Sequence, residues 1–368
     1  MQSFNVSVYF MWEWWEKHFH SKFPRPSEPG DEALDGIYLK RKRFLFEKFG
    51  RFGIGEERPH MDGRYVNIVT KYGMDLIPYL FGAELRCQET GGWMSRPFSR
   101  DKLKAMKPVD IAQHPFGEWV LREREKKTRR YGSVEQFLDY EGPTNIAVRM
   151  RGEEFYIDLV IDREFAEYQL ELINETIFHL LRFVAQNFPV TSAFGLGNCN
   201  VTMISPSLYE EAIKPFDIEF SNRSALISGK TNDFTLHHCD VKVDGFVESY
   251  KTIPNLKALQ ASHQSDISKI ILEKPEVNFL AMLNPIEMAH KQMDQLSEEI
   301  DRAIRLGAGE LDMWNIDPNT GVDRVTAMFE AIEKSCGKYG KKCNFSVIPF
   351  CWDELEWAFP RYQNASAN

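Results

Sequence analysis

The chain has no run of about 20 consecutive apolar residues, the length a membrane-spanning helix needs. Its opening, "MQSFNVSVYFMWEWWEKHF", lacks the basic start of a secretion signal, and Glu13 and Glu16 interrupt its apolar residues. A cytoplasmic protein with no membrane role is expected. Positive charge is also short, with 45 Lys and Arg against 54 Asp and Glu and a formal net charge of -9. That balance offers no electrostatic footprint for nucleic acid, and a basic run such as "LKRKR" reads as a solvated helix face. No G-x-G-x-x-G or G-x-x-x-x-G-K-[ST] follows any predicted strand, which counts against a nucleotide-binding sheet. Cysteine is scarce, six in 368 residues. In a reducing compartment these thiols stay free, so a special one is a ligand or nucleophile before it is half a disulfide.

What is present is a folding pattern. Hydrophobic residues make up 43% and aromatics 13%, the balance of a globular protein. The length allows two average domains or one large barrel. "REFAEYQLELINETIFHLLRFVAQNF" places apolar residues at helical spacing, and "VTSAFGL" reads as a short buried strand. Ser205 and Pro206 mark the start of the next helix, as cap and first helical position. Strands follow at "FTLHHC", "LKALQ", "NFLAML", "GELDMWNI" and "CNFSVIPFC", with helical segments separating them. Such alternation demands parallel strands joined by crossover helices. The length and the near-equal units favour an α/β fold of the (β/α)8 TIM-barrel type over a doubly wound sheet. One domain over residues 1–368 is expected, with helical additions at the N-terminus and residues 1–60 as a cap.

The first 160 residues are less regular. "YVNIVTKYGMDLIPYLFGAELRC" reads as helix then strand, and "PTNIAVRMRGEEFYIDLVI" as strands or a hairpin. The polar stretch from Arg96 to Arg130 reads as helical excursions over one end of the barrel. Trp12, Trp14 and Trp15 are too dense in aromatic surface to float free. They pack as a cap or form a flat apolar wall beside the active site.

Chemistry concentrates in "DFTLHHCD", residues 233–240. A strand leading into His237, His238 and Cys239 delivers them to the carboxyl end, the functional face of a parallel barrel. Side chains alternate with period two, so His237 and Cys239 can converge while His238 points elsewhere as a structural histidine. The final strand also ends on a cysteine, Cys351. One imidazole and two thiolates at about 2.0–2.3 Å would make a three-ligand zinc site with an open position. Cys199, in "GLGNCN", is a rival because it too lies at a strand's carboxyl end. Cys336 and Cys343 read as structural or surface thiols. Glu310 and Asp312, on one side of one strand, are candidates for a fourth ligand or a base. Salt links to neighbouring strands are the alternative. Asn198 is a candidate hydrogen-bond donor to substrate, with loop capping as the alternative, and His263 reads as a surface-loop histidine.

From about Val66 to Cys351 the chain resembles the uroporphyrinogen decarboxylase superfamily, within it the zinc-dependent, corrinoid-linked methyltransferases of the coenzyme M type. The segments that carry the resemblance are "GPTNIAVRMRGEEFYIDLVIDREF", "TMISPSLYEEAIKPF", "HHCD" and "NIDPNTGVDRVTAMFEAIE". It implies a single (β/α)8 barrel, and a zinc ion bound by His237, Cys239 and Cys351. It also implies a methyl group exchanged between a small thiol or methylated substrate and a corrinoid. That cofactor would come from a partner corrinoid protein or as free cobalamin, since the chain carries no cobalamin module. "SVYFMWEWWEKHF" holds no arginine, unlike the substrate-gripping signature of the true decarboxylase, so a metal-free lyase is the second reading. A non-catalytic corrinoid-binding module is a third. Asp240 stands where the family often has Gly, and the Cys239 to Cys351 spacing exceeds that of the coenzyme M enzymes, so their substrate does not carry over.

Overall fold

The computed structural model describes residues 2–20, 31–60, 75–87, 93–132, 140–190, 194–239 and 241–347. Among these, seven strands form one sheet: β1 (Gln2–Phe10), β4 (Leu196–Gly197), β5 (Phe234–His237), β6 (Leu256–Ser262), β7 (Asn278–Met282), β8 (Glu310–Ile316) and β9 (Lys341–Val347). A separate antiparallel pair joins β2 (Leu85–Cys87) to β3 (Trp93–Ser95). The order in the large sheet is β4-β5-β6-β7-β8-β1-β9. Its registers β4–β5, β6–β7, β7–β8, β8–β1 and β1–β9 all run parallel, as strand and helix alternation demands. By internal contacts the chain divides into two compact units.

One unit comprises Met1–Asp62, His238–Val247 and Ala258–Trp357. Its N-terminus departs from expectation: the first residues of the expected cap form β1, paired with β8 on one side and β9 on the other. Phe4, Val6, Val8 and Phe10 are buried, and Ser3, Asn5 and Ser7 alternate with them, the period of a strand. Of the two readings of the tryptophans, Trp14 and Trp15 follow packing and not the apolar wall. Trp14 and Trp15 are fully buried against Phe10 and Phe44, and the Trp14 indole Nε1 donates to the Thr320 carbonyl at 2.8 Å. They are core and offer no exposed wall; the Trp12 side chain lies outside the described residues.

The other unit comprises Gly63–His237 and Glu248–Lys257 with the C-terminal residues. The segment expected as strands or a hairpin is two helices, Pro143–Arg151 and Glu154–Ile161. Its β-branched residues suit a strand, but Pro143 stands at the first helical position and Gly152 turns at φ 77 to separate the helices. Ser205 caps as expected, its Oγ accepting from the Leu208 amide at 3.2 Å. The long helix Arg163–Asn187 buries one face through Phe165, Leu172, Ile173, Ile177, Leu180, Leu181 and Val184. No helix among the described residues is long and apolar enough to cross a membrane.

Candidate metal centre

Two glycines let a loop lie directly against the end of β4. A Cβ on Gly142 would sit 2.1 Å from the Gly197 carbonyl oxygen, and one on Gly197 would sit 2.6 Å from Glu141 Oε2. A side chain on Gly142 would collide with backbone, and one on Gly197 would have to displace the Glu141 carboxyl. Gly197 pairs with His237 across the sheet, and the Asn198 amide continues the ladder by donating to the His237 carbonyl at 2.8 Å. Cys199, two residues past β4, and His237, the last residue of β5, therefore share the carboxyl edge of two parallel strands. Cys239 follows His237 by two residues. The ligand atoms of Cys199, His237 and Cys239 all lie within 4.8 Å of one another. Cys199 and His237 are half-buried, and Cys239 is exposed.

A carboxyl group borders these donors. Glu141 is held at φ 57, a left-handed backbone that non-glycine residues rarely adopt and that concentrates at functional sites. Its Oε2 accepts from Asn145 Nδ2 at 2.5 Å, and Asn145 Oδ1 in turn accepts from the Asn200 amide at 2.9 Å. Burial, and then the negative charge Cys199 can carry, push the Glu141 carboxyl above its ordinary pKa. The Asn145 hydrogen bond and the His237 charge act the other way.

The residues singled out from the sequence fall into three groups. His237 and Cys239 come together, and the third donor beside them is Cys199, the rival. Cys351 and Asp240 lie outside the described residues. Glu310 and Asp312 belong to hydrogen bonds within the sheet: Ser7 Oγ donates to Glu310 Oε1 at 2.9 Å, and Gln260 Nε2 donates to Asp312 Oδ2. Neither is part of the thiol and imidazole group. The Asn198 side-chain amide, proposed as a substrate donor, is fully buried and donates to Asp217 Oδ2 at 2.7 Å.

His263 is not a surface histidine. It is buried after β6, with Nδ1 on the Met282 carbonyl at 3.0 Å and Nε2 3.3 Å from Glu299 and 3.5 Å from Glu287. Lys291 bonds both of those glutamates, so this His/Glu/Glu group already contains its own cation. Cys343 lies in strand β9, within the expected final strand. Glu141 escapes sequence reasoning because it stands alone in a loop. Its one local signal is the "EGP" start of the helix Pro143–Arg151.

No protein-family model matches this chain, and none of the curated proteins matches it. Solved structures do. In fold, the chain is similar to a methyltransferase from Methanosarcina mazei. The TM-score is 0.55 at 15% identity, over 88% of this chain and 97% of that one. A structure provisionally assigned as a vitamin-B12 independent methionine synthase from Listeria monocytogenes matches with a TM-score of 0.47 at 12% identity, over 92% of this chain and 99% of that one. At such identities the likeness concerns the fold, and the chemistry has to be argued from the donors.

Proposed function

We propose that the chain is a zinc-dependent methyltransferase that moves a methyl group between a small thiol or methylated substrate and a corrinoid. The sheet is proposed to be part of a (β/α)8 barrel. The observation that carries this reading is the convergence of Cys199, His237 and Cys239 at the carboxyl edge of β4 and β5. Two thiols and one imidazole fit zinc by donor type. Cys199, His237 and Cys239 would hold the ion, with Cys351, implied by the family resemblance, as the competing sulfur. When bound, zinc supplies Lewis acidity and favours the thiolate form of a substrate thiol near neutral pH.

The surrounding residues serve this role by position. Asn145 bridges Glu141 to the turn Cys199–Met203, which fixes a buried carboxyl beside the sulfur of Cys199. Exposure at Cys239 leaves one side of the donor set open to substrate and corrinoid. The corrinoid is proposed to arrive on a partner protein or as free cobalamin, in a cytoplasm where thiols stay reduced.

The test is metal analysis of the purified protein followed by titration of methylcobalamin against a panel of thiols. Transfer leaves the carbon–cobalt electron pair on cobalt and forms a carbon–sulfur bond, so cob(I)alamin grows in the absorption spectrum as the thioether forms. Zinc near one per chain with that spectral change supports the reading. Absence of both, with thiols and in the reverse direction with methoxylated aromatics, contradicts it.

A further inference from the structure

Beyond the paired residues of β4 and β5, Asn198 continues the link between the two strand ends that carry donors. Asn198 precedes Cys199, its amide N–H donates to the carbonyl of His237, and its side chain turns inward to Asp217. Asp217 Oδ2 accepts a second hydrogen bond from the Tyr209 hydroxyl at 2.7 Å. Asn198, Tyr209 and Asp217 are all fully buried. Asp217 belongs to the helix Lys214–Ser228 and Tyr209 to the helix Pro206–Ala212, the two helices that follow the turn bearing Cys199. Tyr250, itself fully buried, packs edge-on against Tyr209 with ring centroids 5.6 Å apart.

An apolar side chain would suit that interior better if packing were its only purpose, because burying a carboxyl group is costly. The acid caps no helix here: it lies in the first turn of a helix whose cap position is Ile213, and both its hydrogen bonds leave that helix. One bond ends on the residue that fixes Cys199 relative to His237.

We propose that Asp217, assisted by Tyr209, is a positioning residue for the metal centre, holding Asn198 so that the Cys199 and His237 donors keep their spacing. The inference rests on the zinc reading above. Partners behind the ligands of a metal site commonly control affinity by 10- to 100-fold. Asp217 acts one step further back, through the residue that joins two ligand-bearing strand ends.

The experiment measures zinc affinity by competition with a chelator, and the visible spectrum of the cobalt(II)-loaded protein, for wild type, Asp217→Asn, Asp217→Leu and Tyr209→Phe. Asparagine keeps an acceptor oxygen for Asn198 and Tyr209, whereas leucine keeps only the volume. Asp217→Leu is expected to weaken zinc binding by about 10- to 100-fold and to alter the cobalt bands. Asp217→Asn should restore both to near wild type, and Tyr209→Phe should fall between. Leu296→Ala, a core truncation in the other unit, lowers stability and should leave affinity and spectrum unchanged. If Asp217→Leu does not fold, Tyr209→Phe carries the same comparison.

Wild-type affinity and spectrum in Asp217→Leu or, failing that, in Tyr209→Phe would overturn the proposal while leaving the zinc reading in place. So would equal losses in the asparagine and leucine variants. A wild-type protein that binds no zinc would overturn both.

Discussion

Replacing Asp217 by asparagine should change how stability depends on pH, and the sign follows from burial. Full desolvation raises the Asp217 carboxyl from 3.8 to about 7, against the lowering pull of hydrogen bonds from Tyr209 and Asn198. In the unfolded chain the group returns to its ordinary value. From pH 3.8 up to about 7 the folded state therefore holds a proton that the unfolded state has lost. Stability from this group is fully present below the lower value, declines as pH rises, and is gone above the upper one. A rise of roughly three pH units at 1.36 kcal/mol each amounts to about 4 kcal/mol.

Asparagine cannot ionise and mimics the neutral acid. Its stability relative to wild type should climb by about 1.4 kcal/mol per pH unit through the window and level off above pH 7. Urea unfolding of the metal-free proteins at several pH values measures that difference, and titrations common to both proteins cancel. A difference that stays constant with pH would mean Asp217 is ionised throughout, and would refute the burial argument. A difference that falls with pH would reverse it.

Other consequences follow from the same geometry. Gly197→Ala drives a Cβ to 2.6 Å from Glu141 Oε2, so it should cost about 1–3 kcal/mol in thermal or urea unfolding and weaken zinc binding. Trp14→Ala should cost about 3–5 kcal/mol, read by urea unfolding, and leave the zinc affinity of the folded fraction unchanged, because Trp14 is core. An unchanged stability would return it to the alternative of an apolar wall beside the site. Cys199→Ala should lose zinc in a metal assay where Cys351→Ala keeps it. The opposite result would make Cys351 the second sulfur of the site.

Much of this arrangement is legible in the residues, and the boundary of legibility has physical causes. The alternation after Phe165 is strong because each strand and helix carries its own period, and β5 to β9 form where the apolar runs place them. Period two also suffices to pair His237 with Cys239. The third donor is different, since Cys199 joins them only through the β4–β5 register, a contact with no local signal. β1 illustrates the same limit: Phe4, Val6, Val8 and Phe10 alternate in full view, but the partners that make them a central strand begin some 300 residues later. The helices at 143–161 mislead in the other direction, because Ile146, Val148, Ile157 and Val160 suit strands while Gly142 and Pro143 fix a helical start. Glu141 and Asp217 carry no pattern at all. Their roles arise from burial and from the groups that surround them in space.

The central claim is that Cys199, His237 and Cys239 form a zinc site, and zinc-edge X-ray absorption of the protein as purified tests it most directly. The account predicts zinc near one per chain, with two sulfur neighbours at about 2.3 Å and at least one nitrogen at about 2.0 Å. It also predicts a single sulfur, or no zinc, once Cys199 is alanine. A protein without zinc, or zinc surrounded by oxygen and nitrogen alone, would contradict it.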